Sequence, residues 1–266
     1  MSDNSYSEQR IKPKTVLITG ATGDFGHAFA RRFAAMGCRL ILAGRNVDKL
    51  EALQNDLGET HENKFHIGIC EMDNRNSIET FVENIPEKFR DIDVLINNAG
   101  LALGLDPIHK SALDDLETMI EVNNKGLVIL TRLVLEGMAE RNKGHIINIG
   151  STAGSYPYPG GHVYCASKAF VKQFSLSLRA DLAEKNIRVT NIEPGMVATQ
   201  FSKVRFKGDE KAAAQVYADT APLSAEDVAE SVLWAATLPE HFNVNRLEIM
   251  PTVQSFGPLP VIRNKS

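Results

Sequence analysis

Short apolar runs alternate along this chain with stretches in which apolar residues recur every three or four positions. Val16-Leu17-Ile18 is followed by Phe25, Ala28, Phe29 and Phe33 at helical spacing, and then by the run Leu40-Ile41-Leu42-Ala43. The spacing predicts strand, helix, strand. It continues with a helix over residues 47–57, a strand over 65–69, a helix over 77–85, a strand over 94–96, one long helical stretch over about 116–141 and a strand over 145–149. A helix over about 164–184, a strand over 188–192, a Gly- and Pro-punctuated insert near 198–223, a helix over 225–237 and a last strand near 247–250 complete the pattern. Strands that are apolar throughout and separated by helices indicate a parallel sheet covered on both faces, because a sheet with one wet face would alternate. The expectation is an α/β, doubly wound parallel sheet of about seven strands. It forms a single domain over residues 13–266, preceded by a polar, disordered lead-in over residues 1–12.

Composition narrows the classes. The chain has 266 residues, 43% hydrophobic and 23% charged, with a net charge of −4, the values of a globular protein and not of a disordered or collagenous one. The acidic balance gives no footprint for nucleic acid, and no apolar run reaches the roughly 20 residues that span a bilayer, so neither nucleic acid nor membrane is an expected partner. The N-terminus lacks the basic start and apolar middle of a signal peptide. Cys38, Cys70 and Cys165 are odd in number and widely spaced, which fits a reducing compartment and a cytoplasmic location. The seven histidines show no metal-ligand spacing, and no metal is expected.

Thr19-Gly20-Ala21-Thr22-Gly23-Asp24-Phe25-Gly26 lies where the first strand meets the first helix. Backbone N–H groups and a helix N-terminus at that junction can hold a diphosphate, although a glycine-rich turn alone is often only a tight connection. Gly20, Thr22, Gly23, Phe25 and Gly26 are the candidate dinucleotide contacts. In the pattern T-G-x-x-x-G-x-G the second glycine falls on Asp24, whose carboxylate is expected to cap the helix and compete with phosphate for its N–H groups. The second strand ends in Gly44-Arg45-Asn46, with Arg45 where an NAD site places an acid. A guanidinium there suits a 2′-phosphate, and NADP is the expected cofactor.

Tyr164 and Lys168 stand four residues apart and therefore on one helical face. Upstream lie Ser151 in Asn148-Ile149-Gly150-Ser151, Asn123 in Val122-Asn123-Asn124-Lys125-Gly126, and Asn97-Asn98-Ala99-Gly100 after the fourth strand. Pro194-Gly195-Met196-Val197-Ala198-Thr199 follows the sixth. With these residues in this order, from about Lys14 to Met250, the chain resembles the short-chain dehydrogenase/reductase family, whose fold is of Rossmann type. The resemblance implies hydride transfer between nicotinamide and a carbonyl carbon. Tyr164 would be the acid/base, Lys168 would lower its pKa and hold the nicotinamide ribose, and Ser151 would hydrogen-bond the substrate oxygen. Asn123 would open its helix and hold a water leading to Lys168. Lowering a phenol by three units takes about 4 kcal/mol. Cofactor contacts implied in the same way are Asn98, Ala99, Gly100, Pro194, Gly195, Val197 and Thr199, together with Glu71 and Met72 beside the adenine. Glu71 reads equally well as a solvated strand end.

The insert after the sixth strand contains Phe201-Ser202-Lys203-Val204-Arg205-Phe206-Lys207-Gly208. With Asn97–Gly104 it is similar to the NADP-dependent 3-hydroxy acid dehydrogenase branch, which includes serine 3-dehydrogenase and malonic semialdehyde reductase. The implied substrate is a short 3-hydroxy acid, such as L-serine, allo-threonine or 3-hydroxypropionate. Its carboxylate needs a cation, for which Arg205 is the candidate, with Lys203 and Lys207 as alternatives. The segment around 201–208 would close as a lid between Gly195 and Gly208. A sulfonated aldehyde or a 3-oxoacyl carrier-protein thioester remains an alternative substrate, and a non-catalytic NADP sensor is the alternative from another class. Apolar residues on more than one face of the two long helices, with the tail Phe256–Val261, suggest a homotetramer.

Overall fold

The computed structural model describes residues 10–58 and 64–256, without the side chains of residues 212–214. The strands are β1 (Thr15–Thr19), β2 (Arg39–Gly44), β3 (Phe65–Ile69), β4 (Val94–Asn97), β5 (Gly144–Ile149), β6 (Ile187–Pro194) and β7 (Arg246–Ile249). They form one sheet in the order β3-β2-β1-β4-β5-β6-β7, parallel at every pairing. The helices are α1 (Asp24–Ala35), α2 (Val47–Gly58), α3 (Arg75–Glu83), α4 (Leu113–Ile120), α5 (Leu127–Glu140), α6 (His162–Asp181), α7 (Phe201–Arg205), α8 (Glu210–Gln215) and α9 (Ala225–Thr237). This is the doubly wound Rossmann-type architecture of a single domain, with seven strands among the described residues.

The two faces of β1 explain the layering. Val16 and Ile18 point to one side, into a core with Phe29 and Phe33 of α1 and Val228 and Val232 of α9. Leu17 points to the other, among Ile78 and Phe81 of α3 and Leu130 and Val134 of α5. Both faces are dry, so the strand has no polar alternation to show. Only β7, at the sheet edge, alternates, with Arg246 and Glu248 exposed and Leu247 and Ile249 half-buried.

Three expectations change. The helical stretch expected over 116–141 is interrupted by a π-helical turn at Glu121–Gly126, which joins α4 to α5. The insert is not irregular throughout, since it carries α7 and α8. The chain is also held earlier than expected. Arg10 Nη1 donates to Thr237 Oγ1 at 2.8 Å and Ile11 N to Thr237 O at 3.0 Å, so residues 10–12 are not part of a free lead-in. Residues 1–9 of that lead-in, and the tail beyond Phe256, lie outside the described residues.

A buried ion pair ties β6 to β7. Glu193, with a side chain 1% exposed, accepts Arg246 Nε at 2.8 Å, Arg246 Nη2 at 2.7 Å and Asn191 Nδ2 at 2.6 Å. Arg246 itself is 39% exposed. Removing the cation strands a carboxylate in the core, whereas removing the acid lets the arginine turn to water. Arg246→Met is therefore expected to lower unfolding stability by about 3 kcal/mol, and Glu193→Gln by clearly less. Urea titration of both variants checks this, and a larger loss for Glu193→Gln would contradict it.

Candidate active site

The strand order reverses between β1 and β4, and in open α/β sheets such a switch opens a crevice at the carboxyl ends of the strands. Gly20 turns the chain out of β1 at φ +59°, a left-handed conformation that disfavours side chains. A Cβ on Gly26 would run into the Gly20 carbonyl, so the last glycine of the turn lets α1 approach it closely. Asn98 clamps this turn: its Nδ2 donates to Thr19 O (2.9 Å) and Gly20 O (3.1 Å), while Asn98 N and Ala99 N each donate to Thr19 Oγ1 at 2.9 Å. Its side chain shapes the cradle from behind.

Asp24 departs from expectation. It opens α1, but no side chain caps that helix at Gly23, and the Asp24 carboxylate instead accepts the backbone N–H of Gln200 at 2.5 Å. The first N–H groups of α1 are thereby left uncapped beside Thr22 and Gly23. At the end of β2, Asn46 caps α2 by accepting Lys49 N at 2.9 Å, and Arg45 stands exposed with no carboxylate paired to it among the described residues. Glu71, past β3, is exposed; Met72 is buried, with its carbonyl against Gly126.

Asn123 lies in the π turn, 1% exposed. Its Oδ1 accepts Leu101 N at 2.8 Å, and its Nδ2 donates to Leu101 O at 2.8 Å and Ser167 Oγ at 3.0 Å. The side chain thus fastens the loop after β4 to α6. A Cβ on Gly100 would stand 3.2 Å from Asn123 Oδ1 and 3.5 Å from Lys168 Nζ, so the glycine keeps the space between them open.

Ser151 follows β5. Its Oγ accepts Ala153 N at 3.1 Å and donates to Pro194 O at 3.5 Å. Burial pushes the Tyr164 phenol above its ordinary value, while the Arg205 guanidinium and then the Ser151 hydroxyl oppose that rise. Lys168, one turn along α6, donates from Nζ to Ile149 O at 2.8 Å and lies 5.9 Å from the Tyr164 ring centroid. Burial pulls its ammonium down to about 8. Two cations thus face the Tyr164 ring: Lys168, and Arg205, whose guanidinium carbon is 5.0 Å from the ring centroid.

Beyond β6, Gly195 N donates to Ile249 O at 2.7 Å, Val197 bridges to Leu223, and Thr199 Oγ1 accepts Phe201 N at 3.3 Å. α7 then lies over the site. Arg205 Nη2 donates to the Tyr158 hydroxyl at 2.9 Å, and the guanidinium carbon sits 5.6 Å from the Tyr158 ring and 5.1 Å from the Phe201 ring. Its Nε is buried without a partner. A buried donor left open is costly, and in a cleft it is a place for an acceptor that arrives from outside. Lys207 pairs with Asp115 at 2.7 Å and Lys203 with Glu210 at 3.0 Å, whereas among the described residues no carboxylate meets Arg205. Tyr158 is a site residue that motif reading passed over, and Phe201, expected only as part of the lid segment, packs on the Tyr164 ring. Tyr158 sits between Ser151 and Tyr164 in the aromatic loop Tyr156-Pro157-Tyr158, the one signal that could have found it.

Residues 14–210 match the short chain dehydrogenase family. The chain is 55% identical over 252 residues to the NADP-dependent 3-hydroxy acid dehydrogenase YdfG of Salmonella typhi, covering 94% of this chain and 99% of that one. It is 48% identical over 250 residues to sulfoacetaldehyde reductase 2 of Chromohalobacter salexigens, covering 94% and 98%. Among solved structures, a closed form of serine dehydrogenase complexed with NADP+ superposes with a TM-score of 0.91 at 52% identity, over 94% of this chain and 100% of that one. Sheet, turn, side-chain cluster and these likenesses agree: the chain belongs to the short-chain dehydrogenase/reductase family.

Proposed function

We propose that the protein is an NADP-dependent dehydrogenase of short 3-hydroxy acids, exchanging a hydride at the 3-position while Arg205 holds the carboxylate. The observation that carries this reading is the half-satisfied guanidinium of Arg205, boxed by Tyr158, Tyr164 and Phe201 beside the reacting phenol. The names of the relatives support the same class. Bound NADP+ supplies the hydride acceptor. Gly20, Thr22, Gly23, Phe25 and Gly26 would hold its diphosphate, and Arg45 the 2′-phosphate. Met72, Ala99, Gly100, Val197 and Thr199 would line the rest of its cleft, and Lys168 would hold the nicotinamide ribose.

Tyr164 takes the substrate hydroxyl proton as the carbonyl forms and returns one in reduction, while Ser151 donates to the same oxygen. Arg205 fixes the acid by its other end. A carboxylate one carbon from the reacting centre turns that ion pair into orientation of the reacting carbon. A sulfonate presents the same charge, so sulfonated aldehydes are the second reading, favoured by the reductase relative.

Because Arg45 meets no acid, NADP+ is expected to be preferred over NAD+, and Arg45→Asp to erase or reverse that preference; equal kcat/KM for both cofactors in the unmutated enzyme would contradict it. The substrate class is tested by nicotinamide absorbance with 3-hydroxypropionate, L-serine and a neutral alcohol. Activity confined to the alcohol would contradict the acid reading. Leu113, Ile120 and Phe170 on α4 and α6, and Trp234 on α9, expose apolar surface that suits a homotetramer. Sedimentation as a monomer at micromolar concentration would contradict that assembly. Three free, buried cysteines fit a reducing cytoplasm.

A further inference from the structure

Asp24 stands where the family pattern has a glycine, and its side chain spans two regions that are far apart in sequence. From the first residue of α1 its carboxylate reaches Gln200 N, 176 residues on, at 2.5 Å. Gln200 immediately precedes α7, the helix that ends in Arg205. At the start of α7 the N-cap side chain makes no capping bond and Phe201 N reaches Thr199 Oγ1 only at 3.3 Å; Ser202 Oγ meets the Tyr217 hydroxyl at 2.6 Å and the Phe201 ring packs on Tyr164, but neither contact reaches the glycine-rich turn. Its far end is docked separately, through Gly104 N to Arg205 O at 2.9 Å, Lys207 to Asp115 at 2.7 Å and Arg205 to Tyr158 at 2.9 Å. Asp24 is thus the tie between the glycine-rich turn and the near end of the segment that covers the site.

We propose that Asp24 is a positioning residue, a latch whose hydrogen bond to Gln200 seats α7 and couples the dinucleotide turn to closure of the substrate segment. Electrostatics gives the coupling its sign. Diphosphate at the N-terminus of α1 repels a carboxylate that begins that helix, and the Gln200 N–H is the donor that draws the carboxylate away. Cofactor in the turn therefore strengthens the latch. By linkage, a closed latch favours cofactor by the same factor. The same geometry explains how the chain tolerates an acid in its phosphate turn: the charge is spent on the lid and the helix N–H groups stay open.

The kinetic consequence rests on the reading of Arg205 as the carboxylate anchor; the structural one does not. Trypsin sites at Lys203, Arg205, Lys207 and Lys211 report the seating of the segment directly. In the cofactor-free protein, Asp24→Gly is expected to raise cleavage across residues 203–211 about fivefold, the loss of one hydrogen bond of roughly 1 kcal/mol. Asp24→Asn keeps an acceptor oxygen and is expected to stay within about twofold of wild type. Saturating NADP+ should protect wild type more than either variant. In turnover, Asp24→Gly should raise KM for 3-hydroxypropionate about fivefold while a neutral alcohol is little affected. Wild-type cleavage in Asp24→Gly, or equally fast cleavage in Asp24→Asn and Asp24→Gly, would overturn the latch. Faster cleavage with equal KM changes for acid and alcohol would uphold the latch and overturn Arg205 as anchor.

Discussion

Tyr164→Phe is expected to lower turnover by about 10²–10⁴-fold while the fold and cofactor affinity stay close to wild type. The ring keeps its packing against Phe201, 5.6 Å between centroids, and its place in the small core with Ala102, Met119 and Cys165. Only the hydroxyl goes, and with it the proton acceptor. The pH profile adds a sign. Burial raises the phenol, so oxidation should gain rate as pH climbs and the base form fills; Arg205 opposes that rise. Arg205→Ala should therefore move the rising limb to higher pH. Stopped-flow absorbance of NADPH across pH checks both statements. A Tyr164→Phe variant keeping more than a few per cent of wild-type turnover would contradict the acid/base role.

Arg205→Ala is expected to lower kcat/KM for 3-hydroxy acids by roughly 30-fold or more, since loss of a partly buried charged contact costs about 2–5 kcal/mol. A neutral alcohol has no carboxylate to lose and should barely respond. The aromatic surroundings sharpen the expectation. Tyr158, Tyr164 and Phe201 limit the water that can replace the anion's partner, and Lys203 and Lys207 already hold Glu210 and Asp115. Tyr158→Phe removes the hydroxyl that orients the guanidinium and should act in the same direction with a smaller factor. Equal losses on acid and alcohol in Arg205→Ala would assign Arg205 to loop seating instead.

The sheet was legible because its strands are buried on both faces. Leu17 faces one core and Val16 and Ile18 the other, so each run is apolar without interruption and cannot be mistaken for a wet strand. The Tyr164–Lys168 spacing was legible for the same kind of reason, a helical period that puts two chemical groups on one face. What escaped depends on contacts between distant segments. Nothing local to Asp24 announces Gln200, and a five-residue helix such as α7 is too short to show a period. The residues around Asn123 continue a helical pattern, so the opening of the helix there was implied by the family resemblance and not by periodicity; the π turn is set by hydrogen bonds to Leu101 and Ser167 on other elements. Lys168 could be placed beside the phenol because it is near in sequence, whereas Arg205 reaches the same ring from beyond β6, a contact no local spacing announces.

Recognition of an acid by its carboxylate, at a site that oxidises the 3-position, is the central property of the proposed enzyme. The most direct test is the ratio of kcat/KM for 3-hydroxypropionate to that for 1-propanol with NADP+ in the unmutated protein. The two share the reacting primary alcohol and the three-carbon chain and differ in the charged end. An ion pair of the expected strength predicts a ratio of roughly 30 or more in favour of the acid. A ratio near one would contradict it.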